Sequence, residues 1–273
     1  MELKLIEKRE DALRFLLTGV SPAFANALRR LMIAQVPTMA IEDVIVIENT
    51  SVMYDEILSH RLGLIPLTTD LDAYVLPEEC ECKSDLGCSR CRVSFTLEAE
   101  TKEQTRTVYS EELKSENPSV RPVSEKIPIV KLAPGHKIRL EAYAKLGRGQ
   151  DHAKWQPVSA CAYKFLPKIT IDLQKCDACR ECVKFCPKKI LDIKDSKLTV
   201  INEAECALCM DCVKHCPKKP APIKVEWDPT SFVFYVESTG SMPPERIVRE
   251  AAKLLSAKAS LISKQIRSSA AKS

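Results

Sequence analysis

Twelve of the thirteen cysteines stand in three groups, and their spacing says what chemistry they can do. The run Cys176-x2-Cys179-x2-Cys182-x3-Cys186-Pro187 is followed by Cys206-x2-Cys209-x2-Cys212-x3-Cys216-Pro217, the same pattern twice over. Upstream, Cys80-x-Cys82-x5-Cys88-x2-Cys91 gathers four thiols around Lys83-Ser84-Asp85-Leu86-Gly87, a loop with the polar and glycine content to turn back on itself. Thiolates are soft ligands that select zinc, copper(I) or iron–sulfur clusters. The remaining Cys161, between Ala160 and Ala162, reads as a small buried hydrophobe.

The doubled run matches the spacing of two-cluster ferredoxins, in which three close cysteines hold one cubane and the fourth cysteine of each run ligates the other cluster. Cluster one then takes Cys176, Cys179, Cys182 and Cys216; cluster two takes Cys206, Cys209, Cys212 and Cys186. The two runs are thereby joined through metal into one folding unit. Zinc or disulfides at the same cysteines are the weaker alternative. The first cluster loop carries Asp177, Ala178, Arg180 and Glu181, the second Ala207, Leu208, Met210 and Asp211. The more apolar second loop excludes water better, so cluster two is expected to be the robust one, and a site that has lost an iron would be a [3Fe-4S] cluster. For Cys80, Cys82, Cys88 and Cys91 two readings stay open, a structural zinc or one or two disulfides.

These residues must be positioned by ordinary elements. Residues 3–7 and 12–17 read as a hairpin turning at Arg9-Glu10-Asp11. Ser21-Pro22 is an N-cap with proline at the first helical position, and Phe24, Ala27, Leu28, Leu31 and Met32 share one face until Pro37. Asn26, Arg29 and Arg30 lie opposite. Val44 to Ile47 read as a buried strand, residues 98–126 as a polar section, and residues 169–173 and 232–236 as strands on either side of the cysteine block. From Met242 onward, Ile247, Val248, Ala251, Leu254, Leu255, Leu261, Ile262 and Ile266 recur at three and four, the period of a long amphipathic helix. A near balance of 41 basic and 37 acidic residues argues against a dedicated nucleic-acid face, so contact with DNA is expected to be indirect. Met1-Glu2-Leu3-Lys4 opens straight into alternating residues and no apolar run approaches the roughly 18 of a membrane span, so a cytoplasmic chain is expected.

Residues 25–41, Ala-Asn-Ala-Leu-Arg-Arg-Leu-Met-Ile-Ala-Gln-Val-Pro-Thr-Met-Ala-Ile, resemble the signature helix of the bacterial RNA polymerase α subunit and its archaeal and eukaryotic relatives. The string His60-Arg61-Leu62-Gly63-Leu64-Ile65-Pro66 is similar to the second hallmark of that family, and the cysteine block is similar to the insertion of its archaeal D-type members. The resemblance implies an α+β fold, an RNA polymerase alpha-like dimerisation domain with an inserted mainly-β domain and an inserted ferredoxin-like domain. On that reading residues 1–45, 161–172 and 223–273 build the dimerisation domain. Residues 46–160 form an insert domain with a zinc loop at Cys80–Cys91, and residues 173–222 the iron–sulfur domain. It further implies a heterodimer with the small subunit L through Phe24, Leu28, Leu31, Arg29, Arg30, Leu254, Leu255, Leu261 and Ile262. Interface roles also follow for His60 and Arg61, with the two large catalytic subunits and the small subunits N and P as neighbours. No Asp triad of the polymerase magnesium site stands in the sequence, so a scaffold role is expected, the [4Fe-4S] clusters being structural. The alternatives are an electron-transfer iron–sulfur subunit of an oxidoreductase and, more weakly, a zinc and iron–sulfur DNA-binding regulator.

Overall fold

The computed structural model describes residues 1–84 and 87–270. In chain order the elements are β1 (Glu2–Lys8), β2 (Ala12–Thr18), α1 (Pro22–Ala34), β3 (Thr38–Asn49), α2 (Asp55–Gly63), β4 (Arg92–Glu100), β5 (Arg106–Tyr109), β6 (Lys114–Ser115), β7 (Pro128–Leu132) and β8 (Lys137–Gly147). They continue with β9 (Val158–Ile171), α3 (Glu181–Phe185), β10 (Leu191–Lys194), β11 (Lys197–Val200), α4 (Asp211–Lys214), β12 (Ile223–Ser238) and α5 (Pro244–Ala270). The mixed α and β content agrees with the expectation, and among the described residues no helix is long and apolar enough to cross a membrane.

Two compact units result, the first made of Met1–Lys8, Arg14–Asn26 and Ala162–Tyr235, the second of the other described residues. The first unit contains most of a four-stranded sheet of order β1-β2-β12-β9. Its apolar face is aromatic: Phe15 stacks on Phe234 with ring centroids 5.0 Å apart, and Tyr163 meets Phe232 edge-on at 5.4 Å. Such stacked and edge-to-face pairs add to the stabilisation from burial alone. The cysteine block lies between β9 and β12 in the chain and carries its own hairpin, β10-β11, whose turn residues Asp195 and Ser196 both have positive φ. That is the requirement of a type I′ turn, whose twist suits a two-residue hairpin.

In the second unit a sheet of order β3-β8-β4-β6 and the pair β5-β7 enclose the larger core, with Phe95, Leu97, Leu140 and Ala142 buried from the strands and Leu58 and Leu62 from α2. The polar section therefore carries strands, because Val108 and Leu113 within it reach this core. The β8–β4 pairing is antiparallel and regular, whereas β3 shifts register against β8 between Ile41 and Asp43 and between Val46 and Glu48. Those shifts correct the expectation of a buried strand over Val44 to Ile47. Past the first shift only one face of β3 is covered, and Ile45 and Ile47 are 53% and 52% exposed. Trp155 lies over β8 where Gly147 has no side chain; a Cβ there would stand 2.4 Å from the indole. Arg61 donates to the backbone oxygens of Ile129, at 2.9 Å, and Pro128, at 2.6 Å, so its charge ties α2 to β7.

Helix α1 starts as the sequence implies, the Ser21 hydroxyl accepting from the Phe24 N–H at 3.3 Å. Leu28 and Leu31 are buried in the chain itself, Phe24 and Arg29 are half-buried and Arg30 is exposed. On α5, Ile247 and Ala251 are buried and Leu254 and Leu255 half-buried. About two turns further, Leu261 and Ile262 are 56% and 57% exposed and Ile266 is 64% exposed, an apolar stripe uncovered among the described residues.

Candidate metal centres

The four upstream cysteines converge. Cys80 follows a short 3-10 turn, Cys91 immediately precedes β4, and both are buried, while Cys88 is half-buried and Cys82 exposed. Between them Gly87, at φ +74, reverses the chain; Asp85 and Leu86 lie outside the described residues. The sulfur separations are 3.7 Å for Cys80–Cys88, 3.8 Å for Cys82–Cys91 and 3.8 Å for Cys88–Cys91. Thiolates held at about 2.3 Å from a tetrahedral ion stand about 3.8 Å from one another, whereas a disulfide needs about 2.05 Å. All four are free thiols with sulfurs within 4.8 Å of one another, so this group could hold one metal ion.

The local electrostatics suit that task. A backbone hydrogen bond from the Arg90 N–H, assisted by the neighbouring thiols, lowers the Cys88 thiol to about 7, so one ligand is readily ionised. Burial pushes Cys91 up to about 12. It then ionises only with a cation beside it, which is the coupling of metal binding to proton release. The Cys88 N–H donates to the Cys91 sulfur at 3.2 Å, a stabilising contact for the bound thiolate.

The eight downstream cysteines are arranged differently. Among the described residues, only the Cys80 group brings its ligand atoms all within 4.8 Å of one another. The eight instead line two small cavities, one with Cys176, Cys179, Cys182 and Cys216, the other with Cys206, Cys209, Cys212 and Cys186. Asp177 and Arg180 border the first; Ala207, Met210 and Lys188 border the second. In each, two cysteines are buried, one is half-buried and one is exposed.

The two loops share an unusual backbone. Ala178 (φ +54) and Arg180 (φ +66) in the first correspond to Leu208 (φ +57) and Met210 (φ +66) in the second, four non-glycine residues in the left-handed region. Each such residue costs on the order of 1 kcal/mol and persists only where its surroundings hold it. Alternation of left- and right-handed residues turns successive N–H groups inward, the concave nest that binds anions. The Leu208 N–H donates to the Cys206 sulfur at 3.4 Å accordingly. The third cysteine of each run is buried in a short helix, and burial pushes both Cys182 and Cys212 up to about 11.

Around the ligands the block packs a small apolar core of Ile190, Leu191, Leu198, Ile223 and Val225. Phe185 and His215, the residues before the fourth cysteine of each run, stack with centroids 3.8 Å apart, an equivalence readable in the paired strings Val-Lys-Phe-Cys-Pro and Val-Lys-His-Cys-Pro. The fastening of the second loop by Lys164, whose Nζ donates to the Cys206 backbone oxygen at 2.8 Å, has no local sequence signal. Cys161 stands apart from all three groups, half-buried where full burial was expected, its thiol raised to about 11 by burial.

Comparison with known proteins places this arrangement in a family. The RNA polymerase Rpb3/Rpb11 dimerisation domain matches residues 14–259. The chain is 43% identical to DNA-directed RNA polymerase subunit Rpo3 of Methanosphaera stadtmanae, over 95% of this chain and 96% of that one. It is 44% identical to the Methanothermobacter thermautotrophicus subunit of the same name over 95% and 96% of the two chains, and 38% identical to that of Archaeoglobus fulgidus over 97% of each. Similarity at this level over nearly the whole of both chains leaves no room for a chance match of one domain, and the chain belongs to the RNA polymerase Rpb3/Rpb11 dimerisation-domain family, among its archaeal Rpo3 members.

Proposed function

We propose that this chain is the non-catalytic assembly subunit of a DNA-directed RNA polymerase, of the archaeal D type. It pairs with the small subunit L into the platform on which the two large catalytic subunits, with N and P beside them, are built, and it meets DNA only through them. The observation that carries this is the match of residues 14–259 to a dimerisation domain, a range that includes all the cysteine groups. The uncovered stripe of Leu261, Ile262 and Ile266 supports it, since an apolar helix face of that length is stabilised by a partner that removes it from water. On this reading residues 1–45, 161–172 and 223–273 form the dimerisation domain, 46–160 the insert domain and 173–222 the ferredoxin-like domain.

The cofactors follow from the ligand sets. Zinc suits Cys80, Cys82, Cys88 and Cys91, being d10 and satisfied by four thiolates in a tetrahedron. Iron–sulfur clusters suit the other two sets, whose sulfurs line cavities instead of converging on one ion; bound there, a cluster supplies iron–thiolate bonds that cross-link the two runs. The protein's part is to bury Cys182 and Cys212, to aim N–H groups at the sulfurs and to exclude water, which the apolar border of the second site does better.

The test is co-expression with the small partner and the large subunits. The expected result is a stoichiometric complex that falls apart when Leu261 and Ile262 are both changed to Glu. A self-sufficient monomer, or reversible cluster reduction coupled to substrate turnover, would sink the assembly reading and favour the electron-transfer one.

A further inference from the structure

Three polar contacts run from the four-stranded sheet into the segment that carries the first ligand of cluster two. The Lys164 Nζ on β9 donates to the Cys206 backbone oxygen at 2.8 Å. The Arg14 guanidinium on β2 reaches the Glu205 carboxylate at 2.5 Å with one nitrogen and Glu7 on β1 at 3.5 Å with the other. The Ile169 N–H on β9 donates to the carboxylate of Glu203. Lys164 is half-buried and Arg14 only 21% exposed, so both give up hydration and side-chain freedom to stand there. The corresponding loop of cluster one is held from within the cysteine block, Asp177 by Lys218 at 3.2 Å and Asp172 by Lys175 at 3.1 Å, with Asp177 and Lys175 more than half exposed.

We propose that Lys164 and Arg14 are positioning residues for the second cluster: they fasten the Glu203–Cys206 segment to strands β2 and β9 and place positive charge beside it from outside the cysteine block. Two consequences separate this from general support of the fold. The charge of Lys164 favours the more reduced, more anionic state of cluster two, so neutralising it lowers that cluster's potential and leaves cluster one's unchanged. Because linkage is reciprocal, losing cluster two loosens β2 and β9, whereas losing cluster one does not.

The proposal rests on clusters filling the two cavities, and the experiment distinguishes the two ideas. The full chain, reconstituted without oxygen, is given an iron chelator, and Cys179→Ser and Cys209→Ser chains identify which phase of iron release belongs to which cluster. Lys164→Gln and Arg14→Gln should each speed release from cluster two roughly tenfold, as expected for a lost charge-assisted hydrogen bond, and leave cluster one unchanged. Lys164→Arg should restore the rate. A redox titration followed by electron paramagnetic resonance should show only the cluster-two potential becoming more negative in Lys164→Gln. Hydrogen exchange should rise in β2 and β9 of Cys209→Ser but not of Cys179→Ser. Equal acceleration of both phases, no acceleration of either, or a variant that fails to take up both clusters would overturn the positioning role. A wild-type chain that takes up no iron would overturn the cluster reading and this one together.

Discussion

Four cysteines at Cys80–Cys91 and eight at Cys176–Cys216 use the same side chain for two different constructions. In the first, sulfurs 3.7 to 3.8 Å apart surround a point, and the turn that brings them together is made by a glycine at φ +74. In the second, sulfurs are spread around two cavities, and the turns are made by Ala178, Arg180, Leu208 and Met210 in the same left-handed region. The first site is hung on a unit with its own core under β3, β8 and β4. The second has a smaller apolar core, in which Cys182, Cys206 and Cys212 are packed among Ile190, Leu191, Leu198, Ile223 and Val225. The smaller the core that the chain supplies, the more a bound metal would contribute to the fold.

The largest expected effect breaks the comparison along that line. Stripping iron from the full chain should remove hydrogen-exchange protection across residues 173–222 down to that of an unfolded segment, while the β3-β8-β4 sheet keeps its protection. Equal loss in both regions would mean that the clusters support the whole chain. Next in size, Cys91→Ser takes a buried ligand from the upstream group and should abolish stoichiometric zinc, costing at least about 2 kcal/mol in denaturant unfolding of the second unit. Iron in the cysteine block should be unaffected, and undiminished zinc would show that the ion sits elsewhere. A smaller change sharpens the contrast between the two clusters: Leu208→Asp brings an anion to the more apolar loop and should bring the rate of iron loss from cluster two to that of cluster one. If the two rates already agree in the wild-type chain, apolar lining does not decide robustness.

Much of this was legible beforehand because it is local. The cap at Ser21, the stop at Pro37 and the start of α5 at Pro244 are properties of a few adjacent residues. The grouping of three close cysteines of each run around one cavity is likewise local, a matter of how far a short loop reaches. What was not legible depends on residues far apart in the chain. Ile45 and Ile47 read as buried because they are apolar and β-branched, but β3 shifts register twice against β8 there and both side chains stay exposed among the described residues. The family resemblance implies an interface role for Arg61, yet its guanidinium donates to backbone oxygens 67 and 68 positions away in the same chain, which no composition signals. Lys164 and Glu205 likewise sit on elements with no pattern to link them.

The smallest expected effect tests why the two sites differ in their turns, and it predicts opposite signs for opposite substitutions. Gly87→Ala puts a Cβ 3.1 Å from that of Arg92 and 3.4 Å from the Cys91 sulfur, at a φ that alanine adopts reluctantly, and should destabilise the upstream site by about 1 to 2 kcal/mol. Ala178→Gly does the reverse, since glycine takes φ +54 without strain. The gain is reduced because glycine also has more freedom to lose on folding, which leaves about 0.5 kcal/mol in favour of the variant. Chelator-driven release from cluster one should then slow by roughly twofold, the rate equivalent of that energy. If Ala178→Gly instead speeds release, the left-handed turn is not stored strain that the cluster overcomes but a conformation the loop prefers, and the nest exists before the metal arrives.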